Sequence, residues 1–266
     1  MCTAILSIEP GAGVLLAGIR DELTERAWQP PGRHWPDHPG LVGGRDLLAG
    51  GTWLAVAAAA RRVACVLNGR GREAPRESRR SRGVLPLQVA ADGKLGRHRL
   101  AEFDPFRVVS AEPGLAWLWS WDGERLTERE LAAGLHIVVN SGLASDLAAE
   151  SPPGASPGPE GKEPRQGHEV ARIGHFLPKL RTAERPAPRP GGSTGQAWGA
   201  WLPLMNGDGI GPGDPRALIV RQSVGDGRIY GTTSISLVAL FPDTARYDFT
   251  GSPGDPAAWY EVPLSG

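Results

Sequence analysis

The sequence predicts an α+β fold built on antiparallel sheets. Short apolar segments recur in pairs separated by Pro/Gly turns, which is the pattern of hairpins. Helical spacing appears only at intervals, so the strand–helix alternation of a parallel α/β fold is missing. The 266 residues can bury a substantial core and fit a single domain, 1–266, with loop or disordered insertions near 151–167 and 186–195.

In chain order, Thr3–Ile8 is apolar and β-branched enough for a strand, Pro10–Gly13 turns, and Val14–Ile19 returns to make a hairpin leading into Arg20-Asp21-Glu22. The Pro/Gly-rich stretch Pro30–Gly44, with His34, Trp35 and His38, reads as a loop. A second hairpin joins Thr52–Ala58 to Val63–Leu67 through Arg61-Arg62 and ends at Asn68. The arginine-rich GRGREAPRESRRSRG that follows reads as a solvated loop rather than an anion site. Phe106–Ser110 and Leu115–Trp121 pair around Glu112-Pro113-Gly114, and Ile137–Val139 is a short buried strand ending at Asn140. SPPGASPGPEGKEPRQG has the composition of a disordered insertion. His168–Leu180 has helical spacing, with Val170, Ile173, Phe176 and Leu177 on one face. After a break over Pro186–Gly195, Ala217–Gln222 and Tyr230–Leu240 make a late hairpin, and the segment through Trp259-Tyr260 closes a sheet edge.

Composition excludes several function classes. Basic and acidic residues balance at 29 each, leaving no net field to draw nucleic acid or a membrane surface. The start lacks a basic region, and Glu9-Pro10-Gly11 interrupts its apolar run, so no signal peptide is read there. Leu54–Ala60 is too short to span a bilayer, and two cysteines make no disulfide framework. A cytoplasmic protein without membrane insertion is the expectation. No phosphate-binding glycine loop, CxxC pair or HExxH spacing occurs, so neither cofactor nor metal is expected; Pro36 and Pro39 spoil the helix that would bring His34 and His38 together. Trp35, Trp53 and Trp198 are candidates to line an apolar acyl pocket.

Chemistry concentrates at the amino terminus. A small second residue favours removal of Met1, which would leave Cys2 with a thiol and an α-amine on one framework. That amine titrates near about 7.7–8.0 and can take the thiol proton, directly or through water, so that the sulfur attacks an amide or ester. Cys2 is otherwise a small apolar residue of a first strand, and Cys65, between Ala64 and Val66, is read as packing. The first hairpin brings Arg20 and Asp21 back beside Cys2, Arg20 to favour a thiolate and Asp21 to accept from the amine. As adjacent strand residues they face opposite ways, so only one side chain reaches the sulfur. Asn68 is a candidate oxyanion donor, and Asn140 a candidate to bind substrate carbonyl or fix the amine; both otherwise serve as turn residues. Arg45 and Asp46 are read as organising a loop beside the pocket.

Arg20-Asp21-Glu22 after a hairpin that begins Met1-Cys2, Gly44-Arg45-Asp46-Leu47, and Gly50-Gly51-Thr52-Trp53-Leu54 resemble the NRDE-motif family, also called the transport and Golgi organisation protein 2 family. Leu67-Asn68, Ser81-Arg82-Gly83 and Tyr230-Gly231-Thr232-Thr233-Ser234 stand in matching order, whereas Ile19 replaces the motif's asparagine. The resemblance implies a four-layer αββα sandwich like the Ntn hydrolases. The opening is also similar to the bile salt hydrolase and penicillin V acylase group, in which the mature chain begins with the catalytic cysteine. Cys2, Arg20, Asp21, Asn68 and Asn140 would then match its nucleophile, arginine, aspartate and two asparagines. The implied activity is a cysteine amidohydrolase or acyltransferase on a small amide or ester, breaking carbon–nitrogen bonds other than peptide bonds. The alternative the family implies is a non-catalytic intracellular carrier of haem or lipid.

Overall fold

The computed structural model describes residues 2–96, 99–150 and 164–265. The first hairpin forms from β1 (Thr3–Glu9) and β2 (Gly13–Leu23), with Thr3 opposite Ile19. Strands β3 (Trp28–Gly32), β4 (Leu41–Asp46), β5 (Leu54–Ala57), β6 (Arg62–Asn68), β7 (Phe106–Glu112), β8 (Leu115–Trp121) and β9 (Leu126–Glu130) pair in sequence order as one antiparallel meander. The other sheet adds β10 (Gly134–Val139), β11 (Gly142–Leu143), β12 (Arg221–Ser223), β13 (Ile229–Leu240), β14 (Ala245–Thr250) and β15 (Tyr260–Glu261) to the first hairpin. Its order is β11-β10-β1-β2-β13-β14-β15, all antiparallel, with β12 on β13. The helices are α1 (Leu85–Asp92), α2 (Ala144–Glu150), α3 (Pro164–Thr182), α4 (Thr194–Trp198) and α5 (Trp201–Met205).

Three buried clusters define the layers. Between the sheets, Ala4, Leu6, Val14 and Leu16 pack on Val56, Val63, Cys65 and Val109. On the far side of the first sheet, Ile5, Leu15, Ala17 and Ile19 meet Phe176, Leu180, Trp198 and Trp201 from the helices. On the far side of the meander, Ala55, Ala64 and Val108 meet Leu85, Leu87 and Val89 of α1. The α+β expectation of a helix–sheet–sheet–helix sandwich with antiparallel sheets is therefore what the chain forms. Because both faces of β1 and β2 are covered, apolar residues occupy both faces of the two strands up to Ile19 rather than alternating with polar ones. Even-numbered residues of this hairpin face the opposing sheet and odd-numbered ones the helices.

Several local expectations are corrected. Pro30–Gly44 is not one loop, since β3 ends and β4 begins within it. The glycines of β4 are there for close approach: a Cβ on Gly44 would lie 2.3 Å from the Trp53 ring. Of Ala217–Gln222 only the end is strand, in β12. Helix α3 starts at Pro164, inside the stretch read as insertion; 151–163 lie outside the described residues. Of the face read as apolar, Phe176 is in the core and Ile173 and Leu177 pack against it, whereas Val170 is 45% exposed and Glu169 and Arg172, each 1% exposed, take buried positions instead. The segment 186–193 is irregular and leads into the capping box by which Ser193 and Gln196 start α4.

Candidate active site

Cys2 sits one residue before β1, half-buried, and packs against the core between the sheets. β1 also pairs with β10, Thr3 opposite Val139, so Asn140 stands beside Cys2 where that ladder ends. The main-chain nitrogen of Cys2 donates to Asn140 Oδ1 at 3.3 Å. The Cys2 thiol lies 3.8 Å from the Asp21 carbonyl oxygen.

Arg20 shares the inter-sheet face with Cys2. Its side chain is 5% exposed, its Nη1 donates to Thr233 Oγ1 at 2.7 Å, and its Nη2 lies 3.5 Å from Asp46 Oδ2 and 3.9 Å from Glu22. The guanidinium carbon is 4.5 Å from the centre of the Trp53 ring. Burial pulls this guanidinium below its ordinary pKa, and Glu22, Cys2 and Asp46 pull it back up. Asp21 faces the helix layer: its Oδ1 accepts from Thr232 Oγ1 at 2.7 Å, and its Oδ2 lies 3.6 Å from Arg172 Nη1. Arg172 also donates to Thr3 Oγ1 at 2.6 Å and, through Nε, to the Ala217 carbonyl at 2.9 Å. Only the backbone of Asp21 therefore reaches the sulfur, while its carboxylate ties β1, β2, β13 and α3 together beneath it.

A shift in register between β2 and β13 explains the Thr-Thr pair. Thr232 is opposite Asp21 and Ser234 opposite Arg20, leaving Thr233 as the extra residue of the irregularity. The consequence is one threonine for each charge, Thr232 for Asp21 and Thr233 for Arg20. Tyr230 Oη adds a bond to the Asp21 carbonyl at 2.9 Å. Ile19, in the position of the family motif's asparagine, is 2% exposed in the core against the helices.

Asp46 performs the organising role read from the sequence. Its Oδ1 accepts from the amides of Leu48 and Ala49 at 3.0 and 2.9 Å, and Arg26 grips it through Nε at 2.5 Å and Nη2 at 3.2 Å. Burial would raise its pKa, but Arg26, the Ala49 amide and Arg20 outweigh that and hold the carboxyl below its usual range. The same loop docks the arginine-rich segment. Thr52 N–H donates to the Gly83 carbonyl at 2.8 Å, and a Cβ on Gly51 would come within 2.5 Å of that carbonyl group. Gly50-Gly51-Thr52 and Ser81-Arg82-Gly83 are thus two sides of one contact.

These elements enclose a cavity of about 500 Å³ lined by Cys2, Arg20, Trp53, Asn68 and Arg82, with Arg26, Arg79 and Arg80 around it. The arginine-rich segment is consequently not simply a solvated loop; Arg79, Arg80 and Arg82 wall the cavity, and Arg72 and Arg76 are exposed. Among the five residues singled out in the sequence, Cys2, Arg20, Asp21 and Asn68 line this space. Asn140 joins them through the Cys2 nitrogen. Of the tryptophans, Trp53 borders the cavity, Trp35 lines a neighbouring groove, and Trp198 is fully buried with its Nε1 on Asp248 at 2.8 Å. Arg82, Arg172, Thr232 and Thr233 carry contacts that no single-residue reading identified. Among the described residues no group of three or more His, Cys, Asp or Glu could hold a metal, and no helix is long and apolar enough to cross a membrane.

With the geometry in place, the chain can be set beside known proteins. No curated protein matches it. Among solved structures, the mutant C2A conjugated bile acid hydrolase from Clostridium perfringens superposes with a TM-score of 0.47 at 10% identity, over 100% of this chain and 94% of that one. That likeness is too remote to transfer any role to these residues. The family model described as Transport and Golgi organisation 2 matches residues 1–145, more than half of the chain and nearly every element that surrounds Cys2. The chain belongs to the Transport and Golgi organisation 2 family.

Proposed function

We propose that the protein is a cysteine acyl hydrolase or acyltransferase of the N-terminal-nucleophile type, acting in the cytoplasm on a small amide or ester with Cys2 as nucleophile. The observation that carries this reading is the bond from the Cys2 nitrogen to Asn140 beside a thiol that lines a cavity of about 500 Å³. Once Met1 is removed, that nitrogen is an amine. By donating one N–H to Asn140 it holds its lone pair in a fixed direction, ready to take the thiol proton. The sulfur then attacks the carbonyl carbon, and Arg20, held by Thr233 and Asp46, offsets the charge on sulfur. The carbonyl oxygen becomes an oxyanion, for which the Asn68 amide is the candidate donor. The leaving amine or alcohol departs with the proton from the Cys2 ammonium. Water, deprotonated by the regenerated amine, attacks the thioester and releases the acid; an acceptor amine or alcohol in its place gives acyl transfer.

The carrier alternative needs an apolar chamber. The apolar space between Cys2, Leu54, Cys65 and Leu67 is about 20 Å³, room for roughly one water-sized molecule. The larger groove of about 520 Å³ bordered by Trp35, Val84, Leu85, Leu87 and Phe103 could take an apolar ligand, but Cys2 does not line it, so a carrier would leave the thiol without a part in binding. Intact-mass measurement before and after treatment with a β-lactam acylating probe tests the proposal. A mass without methionine, plus one acyl group on the amino-terminal peptide that Cys2→Ser abolishes, is the expected result. Retained Met1 with an unacylated thiol would replace the enzyme by the carrier.

A further inference from the structure

The cations around the cavity are not equally committed. Arg26 is bound to Asp46 and lies 3.7 Å from Glu22. Arg20 divides itself between Asp46 and Glu22. Arg79 is shared by Glu73 at 3.0 Å and Asp104 at 3.2 Å, and Arg80 has Glu102 at 3.5 Å. Arg82 differs: among the described residues it has no carboxylate in ion-pair contact. It donates from Nη1 to the Pro105 carbonyl at 2.9 Å. Asp104 and Glu22 act on it only at longer range, and so does Cys2, which places the guanidinium and the sulfur in one electrostatic neighbourhood. Burial costs a cation most when nothing negative touches it, and it draws this guanidinium below its ordinary pKa. The segment is nonetheless fastened where it is by the Thr52–Gly83 bond.

A fixed arginine on the wall of a reaction cavity, with Nε and Nη2 not hydrogen-bonded among the described residues, presents the planar fork that matches carboxylate and phosphate oxygens. We propose that the acyl substrate carries an oxyanion, a carboxylate or a phosphoryl group, which Arg82 binds while Cys2 attacks the acyl carbon. Substrate selection is then electrostatic, and Arg82 is a specificity residue. This rests on the acyl-transfer reading of Cys2.

The test uses the full chain and two matched esters, mono-p-nitrophenyl glutarate and its neutral methyl ester. The anionic ester is expected to have a kcat/KM at least about tenfold higher, the discrimination a charge-assisted hydrogen bond gives. Arg82→Gln should bring the ratio of the two esters toward one, and Arg82→Lys should restore part of it. Equal rates in the parent, or a ratio that a folded Arg82→Gln leaves in place, would overturn the role of Arg82 with Cys2 untouched. Conversely, Cys2→Ser that hydrolyses both esters at the parental rate removes the nucleophile reading. A second arm does not depend on turnover: calorimetry of Cys2→Ser with glutarate and with inorganic phosphate. Binding weakened about tenfold by adding Arg82→Gln supports the oxyanion site, and the tighter ligand distinguishes carboxylate from phosphoryl. No binding of either ligand overturns it.

Discussion

The main-chain nitrogen of Cys2 and the side chain of Asn140, 138 residues apart, are joined by a 3.3 Å hydrogen bond. The β1–β10 ladder makes the meeting unavoidable, because Thr3 opposite Val139 leaves Cys2 and Asn140 as the next pair. Asn140→Ala should retain the fold and lower kcat by about 10²-fold, since a base that loses its direction loses its alignment. Asn140→Asp should do something different. A carboxylate beside the amine raises its pKa, and the active form is the neutral amine, so the rising limb of the kcat–pH profile moves to higher pH. An unmoved limb in a folded Asn140→Asp would show that this nitrogen is not the base.

The Asp21–Arg172 pair predicts a stability effect. Both side chains are almost wholly buried, at 3.6 Å. Arg172→Met takes a buried cation from the Asp21 carboxylate and should cost about 3–5 kcal/mol in urea unfolding. Asp21→Asn combined with Arg172→Met should cost less than the sum of the two single changes, because the second removes the charge that the first strands.

Gly44→Ala tests how Trp53 positions Arg20. The added methyl would sit 2.3 Å from the indole, so the ring must move, and with it the face on which the Arg20 guanidinium rests. A loss of about 1–3 kcal/mol is expected from the overpacking. Altered tryptophan emission together with a lower rate of Cys2 acylation would be the signature. Unchanged emission and rate would mean that the stack does not set the arginine.

The two thiols should separate by reactivity. Burial first, then the charge of Cys2, pushes the Cys65 thiol up to about 12. Iodoacetamide near pH 8 should therefore modify Cys2 alone in the folded chain and both cysteines after denaturation. The linkage has a definite sign. Below an unfolded thiol pKa of about 8.5, both states hold the proton and stability is complete. Above it only the unfolded chain ionises, so stability declines as pH rises toward the folded value. Cys65→Ala should flatten that alkaline decline in a pH series of urea midpoints.

How much of this was legible depends on what each residue is next to. The first hairpin could be read because both of its faces are buried and its turn is built from Pro and Gly. β4 could not, since its glycines look like loop residues and are in fact spaces for Trp53 and the Leu54 carbonyl. β14 was hidden by Arg246 and Asp248, which look solvent-facing but bond each other at zero exposure, Nε to Oδ2 at 2.6 Å. Arg172 misled in the same way, as a charge on an apparently polar helix face. Cys2, Arg20 and Asp21 were accessible because one hairpin relates them. Arg82 was marked only by the family likeness of Ser81-Arg82-Gly83, which gives it no role, and its residue type does not tell it from Arg72 or Arg76 in the same run. The docking of Gly83 on the loop at Thr52 is what places Arg82 at the cavity. Thr232 and Thr233 carried a trace, a pair of like residues in a long strand, whose meaning appears only once the register shift is seen.

The pairing of β2 with β13 also bears on what the family region is by itself. Residues 1–145 include β1, β2, β10 and β11, but the strand covering β2 from Val14 to Leu23 comes from beyond them. A fragment ending at 145 would expose a long, mostly apolar strand with its amides and carbonyls unsatisfied, a template for intermolecular pairing. It would also strip Arg20 of Thr233, and Asp21 of Thr232 and Arg172. The recognisable half of the sequence thus holds Cys2 and β2, while the less recognisable half keeps β2 from becoming an aggregation edge.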